Sequence, residues 1–137
     1  MLMDTGGNCG SQSSVSVIRG ISLNEIEFSD LGKVVWKEIR VAVVCGATLA
    51  VCNFAKLMLV DHFLFGNLSV TPLVSAVICL TMVCTVFCAK LVGCTLPMLA
   101  KRVGFDPAVM ASPFITTIVD AISLFIYFRI ATVLLHV

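Results

Sequence analysis

Residues 41–60 read VAVVCGATLAVCNFAKLMLV, a run of twenty residues whose only charge is Lys56. A helix of about 20 apolar residues crosses the hydrocarbon core of a bilayer, which is about 30 Å thick. Two further apolar segments follow at 73–100 and 113–137. Because lipid tolerates no open strand edges, the sequence predicts that all three segments are transmembrane helices.

The composition also indicates a membrane protein. Of the 137 residues, 59% are hydrophobic and 12% are charged, whereas soluble domains carry about 25% charged residues. We expect one domain over 1–137, too small to hide so many apolar side chains from water. A net charge of +1 gives no basic field, so nucleic-acid binding is set aside. The first residues, MLMDTGGNCG, lack the basic start and long apolar stretch of a cleavable signal peptide.

Six of the seven cysteines lie inside apolar runs, where cysteine behaves as a small hydrophobic residue. Cys84 and Cys88 share a helical face, which leaves a thiolate metal pair as an alternative. Because no histidine or second cysteine pair stands nearby at zinc-ligand spacing, the sequence disfavours it.

The first forty residues are more polar. Helical spacing within 4–23 places Asn8, Gln12 and Ser16 on one face. A polar stripe on a membrane helix usually borders a water-filled cavity or a partner helix, so we predict a fourth membrane helix here.

Residues 24–40 hold four acids and three bases in an amphipathic pattern. They predict a short connecting helix at the membrane surface.

Lysine and arginine residues set the expected orientation. The connections at 24–40 and 101–112 carry five of them, and the connection at 61–72 carries none. The positive-inside rule then puts both basic connections in the cytoplasm and the 61–72 loop outside. The C-terminus is expected outside as well.

Asp120 most needs an explanation, because a carboxylate within an apolar span costs about 2.5–3.5 kcal/mol on insertion scales. Such a group persists where it faces a cavity, a cation or a partner, which predicts an ion pathway. The polar stripe to which it belongs has helical spacing and consists of Ser112, Thr116, Asp120, Ser123 and Tyr127.

A structural role for Asp120 is an equally supported alternative. In it, Asp120 pairs with an intramembrane base and only holds helices together. Three bases are available, Lys56, Lys90 and Arg129. Arg129 lies off the stripe, and the two lysines can extend toward an interface, which weakens this alternative.

The remaining polar residues have simple interpretations when they are taken alone. Asp106, in GFDPA, is more often a turn or cap residue than a ligand. Asn8 and Gln12 are hydrogen-bonding contacts between helices. His62 and His136 are expected in water. The sequence contains no nucleophile–base pair, zinc-protease motif or phosphate-binding loop, so it does not predict an enzyme.

Three stretches resemble one known family. DTGGNCGSQSSVSVIRGISLNEI (4–26) resembles the GGNxGxQ helix of the MgtE magnesium channel and transporter family. GFDPAVMASPFITTIVDAISLFIYF (104–128) resembles the last connection and last helix of that family. LVGCTLPMLAKR (91–102) fits the end of its fourth helix. The resemblance covers essentially the whole chain.

The resemblance implies an all-α membrane protein, a bundle of about four transmembrane helices plus the connecting helix. It also implies a homodimer with a pore on the two-fold axis, lined here by 4–23 and 113–137. Asp120 then binds hydrated Mg²⁺ within the membrane, and Asp106 lies near the cytoplasmic end of the pore. Asn8 and Thr116 stand where family residues approach the ion path.

The chemistry of Mg²⁺ agrees with these roles, because the ion sheds water reluctantly and keeps most of its shell. Hydroxyl and amide groups would then contact the coordinated waters instead of the metal. The expected contacts to these waters are Asn8, Gln12, Thr116, Ser112 and Ser123.

Three departures from the family pattern are expected to matter. The family's cytoplasmic sensor, with its helical N-domain and paired CBS domains, has no counterpart in the sequence, so gating by it is not expected. The family's first helix and the outer half of its second would precede Met1. Arg129 also stands where an apolar residue is expected.

The expected function is passive transport of Mg²⁺, or of another divalent cation such as Mn²⁺, across a bacterial-type inner membrane. One alternative is a non-conducting membrane subunit or regulator that needs a partner helix. Another is proton-coupled transport of a small solute through Asp120.

Overall fold

The chain is described by a computed structural model that covers residues 2–64, 66, 71–110 and 112–135, without the side chains at 62, 64, 110, 112 and 135. The described residues form helices and no strand. The long helices are α1 (Leu2–Ser22), α2 (Leu31–Lys56), α3 (Pro72–Val103) and α4 (Ser112–Leu135). Short 3₁₀ segments at Phe28–Asp30 and Pro107–Met110 precede α2 and α4, and a π-helical segment at Leu57–Leu64 continues α2.

Three segments are long and apolar enough to cross a membrane, namely Phe28–Asp61, Pro72–Val103 and Pro113–Leu134. They contain or closely match the apolar segments at 41–60, 73–100 and 113–137, so the prediction of three helices long and apolar enough to span a membrane is confirmed. α1 is more polar and is not among the three. It packs against α3 and α4 instead, and α3 packs against each of the other three helices.

The ends of α3 follow local sequence signals. Thr71 caps its first turn, because its hydroxyl oxygen accepts the Val74 N–H at 3.3 Å, and Pro72 occupies the first helical position. Gly104 ends the helix with φ of +88°, a left-handed conformation that glycine adopts without a steric penalty.

The structure differs from the predicted connecting helix at 24–40. Residues 31–40 are the first turns of α2, and the chain reverses earlier, where Asn24 has φ of +56°. No proline or glycine lies between Lys33 and Cys45, so a helix that begins at Leu31 has no reason to stop at Arg40. One consequence is that Glu38 lies inside the bundle instead of at its surface.

Glycines allow α1 to approach its neighbours closely. A Cβ atom at Gly93 of α3 would overlap the carbonyl oxygen of Gly10 and lie 2.9 Å from its carbonyl carbon. A Cβ at Gly6 would lie 3.1 Å from Val119 Cγ1 of α4. Because apolar side chains gain nothing by leaving lipid for another helix, such close packing is a main source of helix association in membranes. The face that α1 buries consists of Gly6, Gly7, Gly10, Ser13, Ser14, Val17, Gly20 and Ile21.

The connections after α1 and after α3 lie at the same end of the bundle. The guanidinium of Arg102 lies over the Phe28 ring, 4.4 Å from its centroid. This geometry agrees with the expectation that both basic connections share one side of the membrane. That this side is cytoplasmic stays a prediction.

The close approach at Gly93 can be tested with two glycines inside helices. Gly93→Ala should lower stability by about 1–3 kcal/mol, because the added methyl group overpacks the contact with Gly10. Gly46→Ala is the matched control, since its Cβ would lie 3.5 Å from Val83 Cγ1, an ordinary contact, and alanine favours the helix. Thermal unfolding of both variants in detergent makes the comparison. Equal melting temperatures would contradict the close approach.

Candidate ion-binding cavity

An open cavity of about 720 Å³ lies between α1 and α4, and Ile78 of α3 also forms part of its wall. Its polar groups belong to Asp4, Asn8, Thr116, Asp120 and Tyr127. The other lining residues are Leu2, Met3, Gly7, Ile78 and Leu124. A mostly apolar wall with a few converging polar groups is the usual form of a binding site for a small ligand or ion.

Asp120 brings a carboxylate into this cavity from within a spanning helix. It is the ninth residue of α4, which places it about 12 Å from the start of the helix at a rise of 1.5 Å per residue. Its Oδ1 atom is buried and has no hydrogen-bond partner among the described residues. A Cβ at Gly7 would lie 3.7 Å from this oxygen, so the glycine leaves the space beside it open.

The candidate bases for an ion pair with Asp120 lie elsewhere. Lys56 Nζ lies 2.6 Å from Asp61 Oδ2, and Lys90 Nζ lies 3.4 Å from Glu38 Oε2. Arg129 borders a separate groove with Leu80 and Ile130. Within the described part of the chain, none of the three forms an ion pair with Asp120.

Asn8 faces the cavity from α1, and Asp4 fixes the orientation of its amide. Asn8 Nδ2 donates a hydrogen bond to Asp4 Oδ1 at 3.3 Å. The amide oxygen of Asn8 is a hydrogen-bond acceptor on a residue that lines the cavity. Sequence reasoning missed Asp4, although it stands four residues before Asn8 and extends the stripe of Asn8, Gln12 and Ser16 by one turn.

Thr116 contributes a second acceptor. Its hydroxyl donates to the carbonyl oxygen of Pro113 at 3.0 Å, within its own helix. The single hydroxyl proton is therefore committed, and the oxygen can only accept a hydrogen bond from the cavity. Waters bound to a cation present their protons outward, so acceptors such as Thr116 Oγ1 and the Asn8 amide oxygen match them.

Other predicted site residues lie outside the cavity lining. Gln12 is exposed on α1, one turn beyond Asn8. Ser123 is buried, donates to the Val119 carbonyl oxygen at 2.6 Å, and faces α1. The side chain of Ser112 lies outside the described residues. Of the predicted stripe on α4, the cavity lining therefore includes Thr116, Asp120 and Tyr127.

Asp106 also lies apart from the cavity. It is exposed, and its Oδ1 accepts the Ala108 N–H at 2.9 Å. It thus has the local turn-capping contact expected of an aspartate before a proline.

Cys84 and Cys88 are free thiols. No group of three or more histidine, cysteine, aspartate or glutamate residues in the described ranges has the arrangement of a metal site.

The helices and the cavity together define a class, an all-helical membrane protein with two carboxylates and neutral oxygen acceptors along an open cavity between its helices. Residues 1–130 match the MgtE family, described as a divalent cation transporter. The chain belongs to that family, which confirms the resemblance seen in its sequence.

Three relatives are each named magnesium transporter MgtE. The proteins of Thermus thermophilus and Enterococcus faecalis are each 35% identical to the chain over 136 residues. The protein of Bacillus subtilis is 31% identical over 136 residues. Each alignment covers 99% of this chain and 28% of the relative, so the chain spans little more than a quarter of these proteins.

The unpartnered carboxylate predicts an unusual stability effect. Asp120→Asn should raise the free energy of unfolding by about 1–3 kcal/mol in EDTA, because it removes a charge whose buried oxygen lacks a partner. Asp106→Asn is the control, since that exposed carboxylate should give little gain. Thermal unfolding in detergent measures both. A marked loss of stability in Asp120→Asn would show that Asp120 has a structural partner.

Proposed function

We propose that the chain is the membrane domain of a magnesium transporter, in which two copies enclose a channel-like pore and Asp120 binds a hydrated cation. The observation that carries this proposal is the buried, unpartnered Oδ1 of Asp120 in a cavity lined by Asn8 and Thr116. Membership of a divalent cation transporter family supports the proposal. The names of the three relatives support the choice of Mg²⁺.

The size and chemistry of the cavity suit a hydrated ion. Six waters at about 30 Å³ each occupy about 180 Å³, well below the cavity volume of about 720 Å³. Mg²⁺ prefers octahedral oxygen ligands, gives up water reluctantly and is usually bound through one or two carboxylates. In this mechanism Asp120 supplies the charge, and Asn8 and Thr116 accept hydrogen bonds from the coordinated waters.

The exposed face of α1 supports the homodimer in this proposal. Six polar residues on this helix are exposed in the single chain: Asp4, Asn8, Gln12, Ser16, Arg19 and Ser22. A polar face at membrane depth has to meet water or protein. A second copy related by a two-fold axis would cover this face and bring a second Asp120 to a shared pore. Cation binding then relieves the repulsion between the two carboxylates.

The remaining features of the proposal concern placement. The domain covers 1–137 and lies in the inner membrane, with both basic connections in the cytoplasm and the C-terminus outside. Asp106 then stands at the cytoplasmic mouth of the pore, where an exposed carboxylate attracts cations. The proposed contacts to the ion's waters from Ser112, Ser123 and Gln12 form only if the dimer brings these side chains to the pore. Mn²⁺ is a second candidate ion.

Mg²⁺ flux into liposomes that contain only this chain tests the proposal. Wild-type protein should conduct, and Asp120→Asn and Asp120→Ala should lower the flux at least about tenfold, as expected for the loss of a charge-assisted contact. Glu25→Gln removes one exposed carboxylate from the connection after α1 and should leave the flux unchanged. Folded wild-type dimers that conduct nothing would support the non-conducting subunit instead. Flux that follows a proton gradient would support proton-coupled transport.

Two neighbouring threonines give a matched test of the cavity itself. Thr116 and Thr117 both donate to the Pro113 carbonyl oxygen, at 3.0 and 2.9 Å, but only Thr116 lines the cavity. In the same assay Thr116→Val should weaken Mg²⁺ transport, whereas Thr117→Val loses the same intrahelical hydrogen bond and should not. Equal effects would show that the helix contact, and not the cavity, is responsible.

A further inference from the structure

A second buried polar cluster joins α1, α2 and α3 away from the cavity. It consists of Ser13, Glu38 and Lys90, which are 1%, 6% and 6% exposed. Glu38 Oε2 lies 3.4 Å from Lys90 Nζ and accepts a hydrogen bond from Ser13 Oγ. A single carboxylate oxygen of α2 thus contacts both other helices. Sequence reasoning expected Lys90 to extend toward an interface, but it is buried in the bundle.

Stability alone does not explain this cluster. The desolvation of two buried charges offsets much of their attraction, and well-packed apolar residues of similar volume are often at least as stabilising. The best-attested use of a buried polar group is to select one register among several similar packings.

α1 is a helix that needs its register fixed. Its contact face toward α3 and α4 contains Gly6, Gly7 and Gly10. Glycines allow this close approach, but they carry no polar side chain, so these three positions supply no directional contact that selects one rotation of the helix. Ser13 is one turn beyond Gly10 and is held by a directional contact to Glu38.

The position of α1 determines the geometry of the cavity. Asn8 and Gly7 of α1 face Thr116 and Asp120 of α4 across it. A displacement of α1 therefore changes the distance between the Asn8 amide and the Asp120 carboxylate. Neither Glu38 nor Lys90 lines the cavity, but Glu38 contacts Ser13, which lies on the same helix as Asn8.

We infer that Glu38 and Lys90, through Ser13, are positioning residues for the ion site. They hold α1 in the register at which Asn8 and Asp120 can contact one hydrated cation together. This inference rests on the proposed function and adds to it residues that determine ion affinity and selectivity from outside the cavity.

Ser13→Ala tests the connection to α1 and leaves the ion pair in place. Wild-type protein and the variant are compared in liposomes by the Mg²⁺ concentration at half-maximal flux, the ratio of Mg²⁺ to Mn²⁺ flux, and the melting temperature. The half-maximal concentration should rise about fivefold, the factor that one ordinary hydrogen bond represents, and the flux ratio should fall. Ser75→Ala is the control, because it also removes a fully buried hydroxyl, one without a partner among the described residues. It should leave both ion parameters unchanged.

A double variant tests the ion pair without leaving one charge buried alone. Glu38→Met with Lys90→Met should keep or raise the melting temperature and alter ion affinity and selectivity as Ser13→Ala does. Lys90→Arg should retain wild-type behaviour, because it keeps the charge.

The outcomes separate this inference from the proposed function. If wild-type protein does not transport Mg²⁺, the proposed function fails and the inference fails with it. If wild-type protein transports Mg²⁺ while Ser13→Ala and the double variant match it in affinity and selectivity, only the inference is overturned. Loss of melting temperature and maximal flux at unchanged affinity and selectivity would also overturn it, since the cluster would then be merely structural.

Discussion

The close packing of α1 against α3 is the constraint on which the rest of the structure depends. The backbone contact between Gly10 and Gly93 leaves no room for a side chain at Gly93. α1 is too polar to be surrounded by lipid, and it stays in the bundle because its glycines permit this contact. Its other side is then free to carry Asp4 and Asn8 into the space next to α4.

The cavity follows from that placement. Gly7 leaves room beside the Asp120 carboxylate, and the hydrogen bond that Thr116 donates leaves its oxygen as an acceptor. A carboxylate beside acceptor oxygens is poorly matched to an anion and well matched to the proposed cation that keeps its water.

Much of the fold could be predicted from the sequence, because its signals are local. Apolar length predicted the spans, and helical spacing placed Asn8, Thr116 and Asp120 on faces that the structure brings together. The charge density at 24–40 predicts a separate connecting helix, but the sequence has no residue that would stop a helix at Arg40, and α2 therefore runs from Leu31 to Lys56. The contact between Glu38 and Lys90 joins residues 52 positions apart, and no periodicity reports such a pairing. Ser123 shares the helical stripe of Asp120, but the rotation of α4 against α1 buries its hydroxyl in a helix contact.

The proposed binding of a hydrated divalent cation beside Asp120 can be tested by locating Mn²⁺ with anomalous scattering in crystals of the protein grown with that ion. We expect a peak inside the cavity between α1 and α4, separated from Asp120 by a water molecule. The ion then lies farther from the carboxylate than the distance of about 2.0–2.1 Å that is typical of direct Mg²⁺ coordination. An empty cavity with Mn²⁺ bound elsewhere in the membrane region would contradict it.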